Sequence, residues 1–80
     1  MPRYYFQLYE CGNIISDAEG RELPDIATVR KRAIAEARQL MSAEVAAGRL
    51  CLSCRIEVED EDRRPVLVIP FREALEITGL

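Results

Sequence analysis

The chain has 80 residues, 49% of them apolar, with a net charge of −3 and no histidine. Chains of this length form one small core, so a single domain over residues 1–80 is expected. The missing histidine removes the commonest general base and metal ligand, and the acidic balance disfavours nucleic-acid binding, which needs clustered Lys and Arg.

Three features of the sequence predict the cellular location of the protein. Met1–Phe6 shows neither the apolar segment nor the small-residue cleavage site of a signal peptide. No segment approaches the about 20 consecutive apolar residues of a membrane-spanning helix. Three cysteines are an odd number, which disfavours a disulfide framework. We therefore expect a cytoplasmic protein that does not contact a membrane.

The first predicted strand covers residues 4–9, where aromatic and apolar side chains alternate. One face carries Tyr4, Phe6 and Leu8, and the other face carries Tyr5, Gln7 and Tyr9. Gly12 and Asn13 predict a turn, after which Ile14 begins a short return strand. The chain thus opens with a predicted β-hairpin.

The loop from Asp17 to Asp25 is predicted to be held by local polar contacts. Gly20 is expected to adopt a positive φ, which other residues resist, and Asp25 is expected to cap the next helix. Arg30 interrupts the apolar side of that helix. It either extends its charged end into water or forms an ion pair with Asp17 or Glu22.

A long amphipathic helix is predicted from Asp25 to about Val45, because no Gly or Pro follows until Gly48. At about 100° per residue, its apolar side chains share one arc. These are Ile26, Val29, Ala33, Ala37, Leu40 and Met41, with Ile34 and Val45 at the edge. The helix is therefore expected to cover an apolar surface.

Two more strands are predicted after the helix. Residues 52–59 alternate between apolar and polar side chains, the acidic run 60–62 forms a turn, and residues 66–69 are the fourth strand. A last helical turn is expected from Phe71 to Leu75. The order ββαββ predicts an α+β fold, an antiparallel four-stranded sheet with one long helix packed on one face. The predicted core contains Phe6, Leu8, Val29, Ala33, Leu40, Ile56 and Val58.

Cys51 and Cys54 form the one string that matches a chemical motif. A redox pair needs its first thiol at a helix N-terminus, and structural zinc needs four ligands, for which Cys11 is the one further thiol. In a strand, residues three apart point to opposite faces, so Cys54 is expected inside and Cys51 outside. We expect ordinary packing residues; a zinc ion bridging two subunits is the alternative.

No other arrangement of residues predicts chemistry. The acids at 60–62 lie in a turn beside Arg63 and Arg64, the glycines are scattered, and no serine has a partner base. No catalytic, cofactor-binding or metal-binding residue is predicted, and no small-molecule substrate can be identified. The protein is not expected to be an enzyme.

A sheet with one helix layer leaves one face uncovered, and that face is expected to carry Tyr5, Gln7 and Tyr9, with Leu67 and Ile69 as further candidates. An apolar, aromatic face of this kind usually finds a partner, so a homodimer or another protein partner is expected. A soluble monomer screened by charged side chains is the competing explanation.

A regulatory nucleic-acid-binding or antitoxin-like protein is the alternative function. It is based on the basic residues Arg30, Lys31, Arg32 and Arg38 and on a loose likeness of fold.

Several segments resemble a family of short uncharacterised proteins abundant in rhizobia and related alphaproteobacteria. Met1–Phe6 is similar to their opening Met-Pro-Arg-Tyr-Phe-Phe, and Asp17–Asp25 resembles their Asp-Glu-Glu-Gly-x-Glu-Leu-Pro-Asp block. Arg63 departs from the pattern, because the family tends to have a turn glycine near that position. The family is classed as a domain of unknown function, so the resemblance implies this architecture and a bacterial cytoplasm without supplying an activity.

Overall fold

The computed structural model describes residues 1–10 and 12–79. The strands are β1 (Arg3–Glu10), β2 (Asn13–Ile15), β3 (Arg21–Glu22), β4 (Arg55–Glu59) and β5 (Pro65–Pro70), the helix is α1 (Ile26–Ala46), and a 3-10 turn follows at Phe71–Ala74. The predicted α+β class, an antiparallel sheet with one long helix, is confirmed. The described residues contain five strands rather than four, because the two-residue β3 was not predicted.

The sheet has the order β2-β1-β4-β5, with all pairs antiparallel. Strand β3 also pairs with β1, opposite Arg3 and Tyr4, whereas β2 pairs opposite residues 8–10. The two short strands therefore divide the outer edge of β1 between its two ends. The middle of that edge, near Phe6, is left to the loop that connects them.

Helix α1 begins and ends where local chemistry favours it. The Asp25 carboxylate accepts a hydrogen bond from the Thr28 amide at 2.8 Å, and Gly48 adopts a φ of +89° just beyond the helix. Ile26 and Val45, expected at or near the apolar arc, are exposed, because the buried helix residues run only from Val29 to Met41. Within the described part of the chain, no helix combines the length and apolarity that crossing a bilayer requires.

The core lies between α1 and one face of the sheet. Five of the seven predicted core residues are buried, and Leu8 and Leu40 are half-buried against them. Leu67 and Ile69 were expected as candidates for the open face, but they pair with Val58 and Ile56 and therefore face the helix. The core also contains Ala37, Met41 and Cys54, which were expected to face inward, and four residues that were not predicted there: Leu23, Ile69, Phe71 and Ala74.

The cysteine string lies before β4 rather than inside it. Cys54 is buried in the core, as expected, but Cys51 is half-buried and also packs against the core. Bends at Leu52 and Ser53 remove the two-residue period on which its outward orientation depended. Among the described residues, no three Cys, Asp or Glu side chains are arranged to hold a metal ion. Cys11 lies outside the described residues.

Candidate functional site

The sheet face opposite α1, here called the open face, is built by the alternate residues of each strand. Phe6 and Leu8 point toward the helix, so Tyr5, Gln7 and Tyr9 point away from it. The residues that pair with these three on the adjacent strands lie on the same face. The open face comprises Tyr5, Gln7, Tyr9, Ile14, Arg55, Glu57, Glu59 and Val68. Ile14 and Val68 are 62% and 46% exposed, so apolar surface remains uncovered here.

Two arginines lie over the tyrosines of the open face. The guanidinium carbon of Arg55 is 4.2 Å from the centroid of the Tyr9 ring, and that of Arg63 is 3.6 Å from the centroid of the Tyr5 ring. Contacts of this kind contribute about 0.5–1 kcal/mol at exposed sites. Tyr5 and Tyr9, predicted as interface residues, are thus presented together with cationic partners.

The acids of β4 balance these arginines. Arg55 donates to Glu57 at 2.6 Å, and Arg63 lies 3.5 Å from Glu59. Partly exposed ion pairs of this kind contribute little to stability, but here each glutamate lies beside an arginine that covers a tyrosine ring. The open face therefore presents two arginines and two glutamates around two aromatic rings.

Gln7 joins the open face to the neighbouring loop. Its side chain is buried, with the residue only 6% exposed. The amide nitrogen donates to Glu59 at 3.1 Å, and the amide oxygen accepts from the Asp17 backbone N–H at 3.0 Å. Predicted as an interface residue, Gln7 instead lies beneath the surface and positions the groups around it.

Asp17 takes the place of a strand at the middle of the outer edge of β1. Its carboxylate accepts hydrogen bonds from the amides of Phe6 at 3.0 Å, Gly20 at 3.0 Å and Glu19 at 3.2 Å. Burial raises the pKa of this carboxyl, but the three amides and the nearby Arg21 outweigh it, so the pKa lies below its ordinary value of 3.8. The charged form of Asp17 therefore stabilises the fold.

Acid is expected to weaken the fold through Asp17. Because its pKa is lower in the folded chain than in the unfolded chain, its contribution is complete above pH 3.8 and is lost as the pH falls through the folded pKa. Asp17→Ala should lower the free energy of unfolding at neutral pH by about 1–3 kcal/mol, since amides lose their acceptor. Urea denaturation at several pH values, with Asp62→Ala as the control, measures both effects. A parallel acid loss in Asp17→Ala and the parent would contradict this assignment.

The remaining predicted loop residues have distinct positions. Gly20 has a φ of +73° and packs against β1, and Asp25 caps the helix. Arg30 is exposed on α1 and forms no ion pair with Asp17 or Glu22 among the described residues. Glu22 pairs instead with Arg3 at 3.2 Å, because β3 places it directly opposite that residue.

A groove of about 500 Å³ lies on the helix side of the sheet, where the loop at residues 15–21 passes α1. Sequence reasoning did not predict it. Its floor is formed by Phe6, Leu8 and Ile56, and α1 contributes Glu36 and Leu40. Arg21 and Glu36 form an ion pair of 2.8 Å at this groove. The described structure thus offers two candidate surfaces, the open face and this groove, and Gln7 contributes to both.

Comparison with known proteins identifies one family. The model of a family described as "Domain of unknown function (DUF6894)" matches residues 3–72. The match extends from β1 into the final 3-10 turn, so it includes both surfaces. Searches of curated proteins and of solved structures gave no significant match.

Proposed function

The chain belongs to the family of domains of unknown function DUF6894, and on this premise we propose a function from its surface chemistry. The protein is a dimerisation module, in which two copies associate through the open face. Its role is non-enzymatic and its location cytoplasmic. An origin in rhizobia or related alphaproteobacteria is part of the same proposal, and the resemblance of the opening residues supports it.

The observation that carries this proposal is the composition of the open face. Tyr5 and Tyr9 are covered by Arg63 and Arg55, and tyrosine and arginine are enriched among the few residues that carry most of the binding energy in protein interfaces. Uncovered apolar side chains lie at the margins, on β2 and β5. Together these residues offer aromatic anchors with an apolar rim.

The charges of the open face favour a second copy as the partner. Two arginines and two glutamates give no net charge, so a two-fold axis can place an arginine of one copy against a glutamate of the other. Interfaces between identical subunits need such self-complementarity, because the same patch is used on both sides. A strongly charged partner would find no matching potential here.

The alternative is a regulatory nucleic-acid-binding or antitoxin-like protein. One observation favours it, since Arg30, Lys31 and Arg32 are consecutive and exposed on α1. Arg38, the fourth basic residue of this stretch, donates to the Ala74 carbonyl at 2.7 Å. The open face offers less to a nucleic acid, because glutamates lie beside both tyrosine–arginine pairs.

Sedimentation equilibrium at micromolar protein tests the proposal. We expect a mass near twice that of the chain, and we expect Tyr9→Glu combined with Val68→Glu to give a monomer, because buried carboxylates in an interface are costly. Gln39→Glu combined with Ser42→Glu is the charge-matched control on the exposed side of α1. Circular dichroism checks that all three proteins are folded.

A monomer at every concentration would contradict the proposal, and so would equal dissociation by both double variants. A salt-dependent mobility shift with bacterial nucleic acid, lost in Arg30→Ala with Lys31→Ala, would support the alternative function instead. The two assays use the same protein preparations, so the two functions can be compared directly.

A further inference from the structure

The groove on the helix side exists because the core layer is incomplete there. Between β2 and β3 the chain leaves the edge of β1, and among the described residues Asp17 alone bonds to the middle of that edge. On the other wall, α1 presents Glu36 and Leu40, which are half-buried rather than fully covered. The opening of about 500 Å³ falls within the size range of small-molecule sites.

One end of the groove has the chemistry of a cation site. The guanidinium carbon of Arg21 lies 4.5 Å from the centroid of the Phe6 ring, and its Nη2 atom lies 2.8 Å from the Glu36 carboxylate. An aromatic face together with a carboxylate is an arrangement that binds organic cations. In this structure the protein's own arginine occupies that position.

Three observations indicate that Arg21 does not fully satisfy the site and can be displaced from it. The second carboxylate oxygen of Glu36, Oε2, is buried and accepts no hydrogen bond from the described residues. Asp17 and Glu19 also line the groove, so its lining contains three acidic residues and one arginine. The side chain of Arg21 is 41% exposed and belongs to a strand of two residues, so it can move into solvent.

We propose that this groove binds an organic cation with an apolar body, of the alkylammonium or arylammonium class. The ammonium group takes the position of the Arg21 guanidinium, between the Phe6 ring and Glu36, and donates to both carboxylate oxygens. The apolar body lies along Leu8, Leu40 and Ile56, where it is removed from water. This site shares only Gln7 with the residues of the open face named above, and it does not depend on dimerisation.

Three probes of equal chain length separate the contributions of charge and apolar contact. The isotope-labelled protein is titrated with n-hexylammonium chloride, with n-hexanol and with sodium hexanoate, while the NMR signals of Leu8, Leu40 and Ile56 are followed. We expect saturable shifts with the ammonium probe and binding about tenfold weaker for the alcohol and the acid, as expected from the loss of one charge-assisted contact.

Two variants give opposite expected results. Glu36→Gln should weaken binding of n-hexylammonium about tenfold, because the carboxylate charge is lost. Arg21→Ala should tighten it, because the internal competitor is removed. Glu57→Gln, on the open face, is the matched control and should leave the affinity unchanged. Thermal unfolding of each variant verifies that the fold is intact.

Several outcomes would overturn the proposal. If n-hexanol bound as tightly as n-hexylammonium, the groove would select for apolar contact and not for charge. If hexanoate bound most tightly, the groove would be an anion site in which Arg21 binds the ligand. Absence of shifts with all three probes, or an unchanged affinity in Glu36→Gln, would likewise contradict it. None of these results bears on the sedimentation experiment, so the two proposals fail independently.

Discussion

Alanine in place of Gly20 is expected to destabilise the folded chain by about 2–5 kcal/mol, because two costs act at the same position. The φ of +73° is a left-handed conformation that an L-residue adopts only with strain. An added Cβ would also lie 2.9 Å from the Tyr4 carbonyl oxygen and 2.9 Å from a ring carbon of Tyr5. The carbonyl belongs to β1 and cannot move without disturbing the sheet.

A second glycine separates these two costs. Gly48 has a φ of +89°, but a Cβ there would have no neighbour within 4 Å. Gly48→Ala should therefore cost about 1–2 kcal/mol from the backbone conformation alone. Urea denaturation of the parent and both variants gives the difference, which reports the close approach of the loop to β1. Equal destabilisation of the two variants would show that the loop yields and the contact is not tight.

Phe71→Ala is expected to cost about 3–5 kcal/mol, enough to unfold much of a domain of this size. Phe71 is 0% exposed and is among the largest fully buried side chains. It begins the final 3-10 turn, and its amide donates to the Cys54 carbonyl at 2.9 Å. Removing the ring would leave a cavity beside α1, which contacts this turn.

Leu75→Ala is the matched control for Phe71, because Leu75 lies just after the same turn but is 36% exposed. This variant should change the free energy of unfolding by less than about 1 kcal/mol. Far-ultraviolet circular dichroism during thermal unfolding distinguishes the two. An unchanged midpoint for Phe71→Ala would mean that the final turn is not part of the cooperative core.

The parts of the fold that local patterns specify were predictable. Alternation in residues 4–9 and the spacing of apolar residues after Asp25 gave β1 and α1, since each needs only its own residues. Strand β3 was not predictable in this way. It consists of Arg21 and Glu22, neither of which favours strands, and it forms because β1 presents an edge at that point.

The same distinction between local and long-range features applies to the two candidate surfaces. Alternation placed Tyr5 and Tyr9 on the open face, but nothing local indicated that Arg63 would cover Tyr5. That contact depends on the β4–β5 turn, where Arg63 adopts a φ of +63°, the conformation that a glycine favours. The groove depends on three separated segments, and Glu36 enters it only because α1 crosses the sheet beside Arg21. Such long-range placements leave no local sequence pattern.

The two borders of the sheet affect the tendency of neighbouring copies to aggregate by strand addition at high protein concentration. One border is formed by the short strands β2 and β3, with Asp17 bonded to β1 between them. The other border is β5, which has a proline at each end and four residues between the two prolines. Its pairing with β4 also has a register shift between Val58 and Glu59. Fibril-forming segments are about six or seven residues long and lack proline. Each border strand is therefore short or bounded by proline, which makes it a poor template for an extended strand of another folded chain.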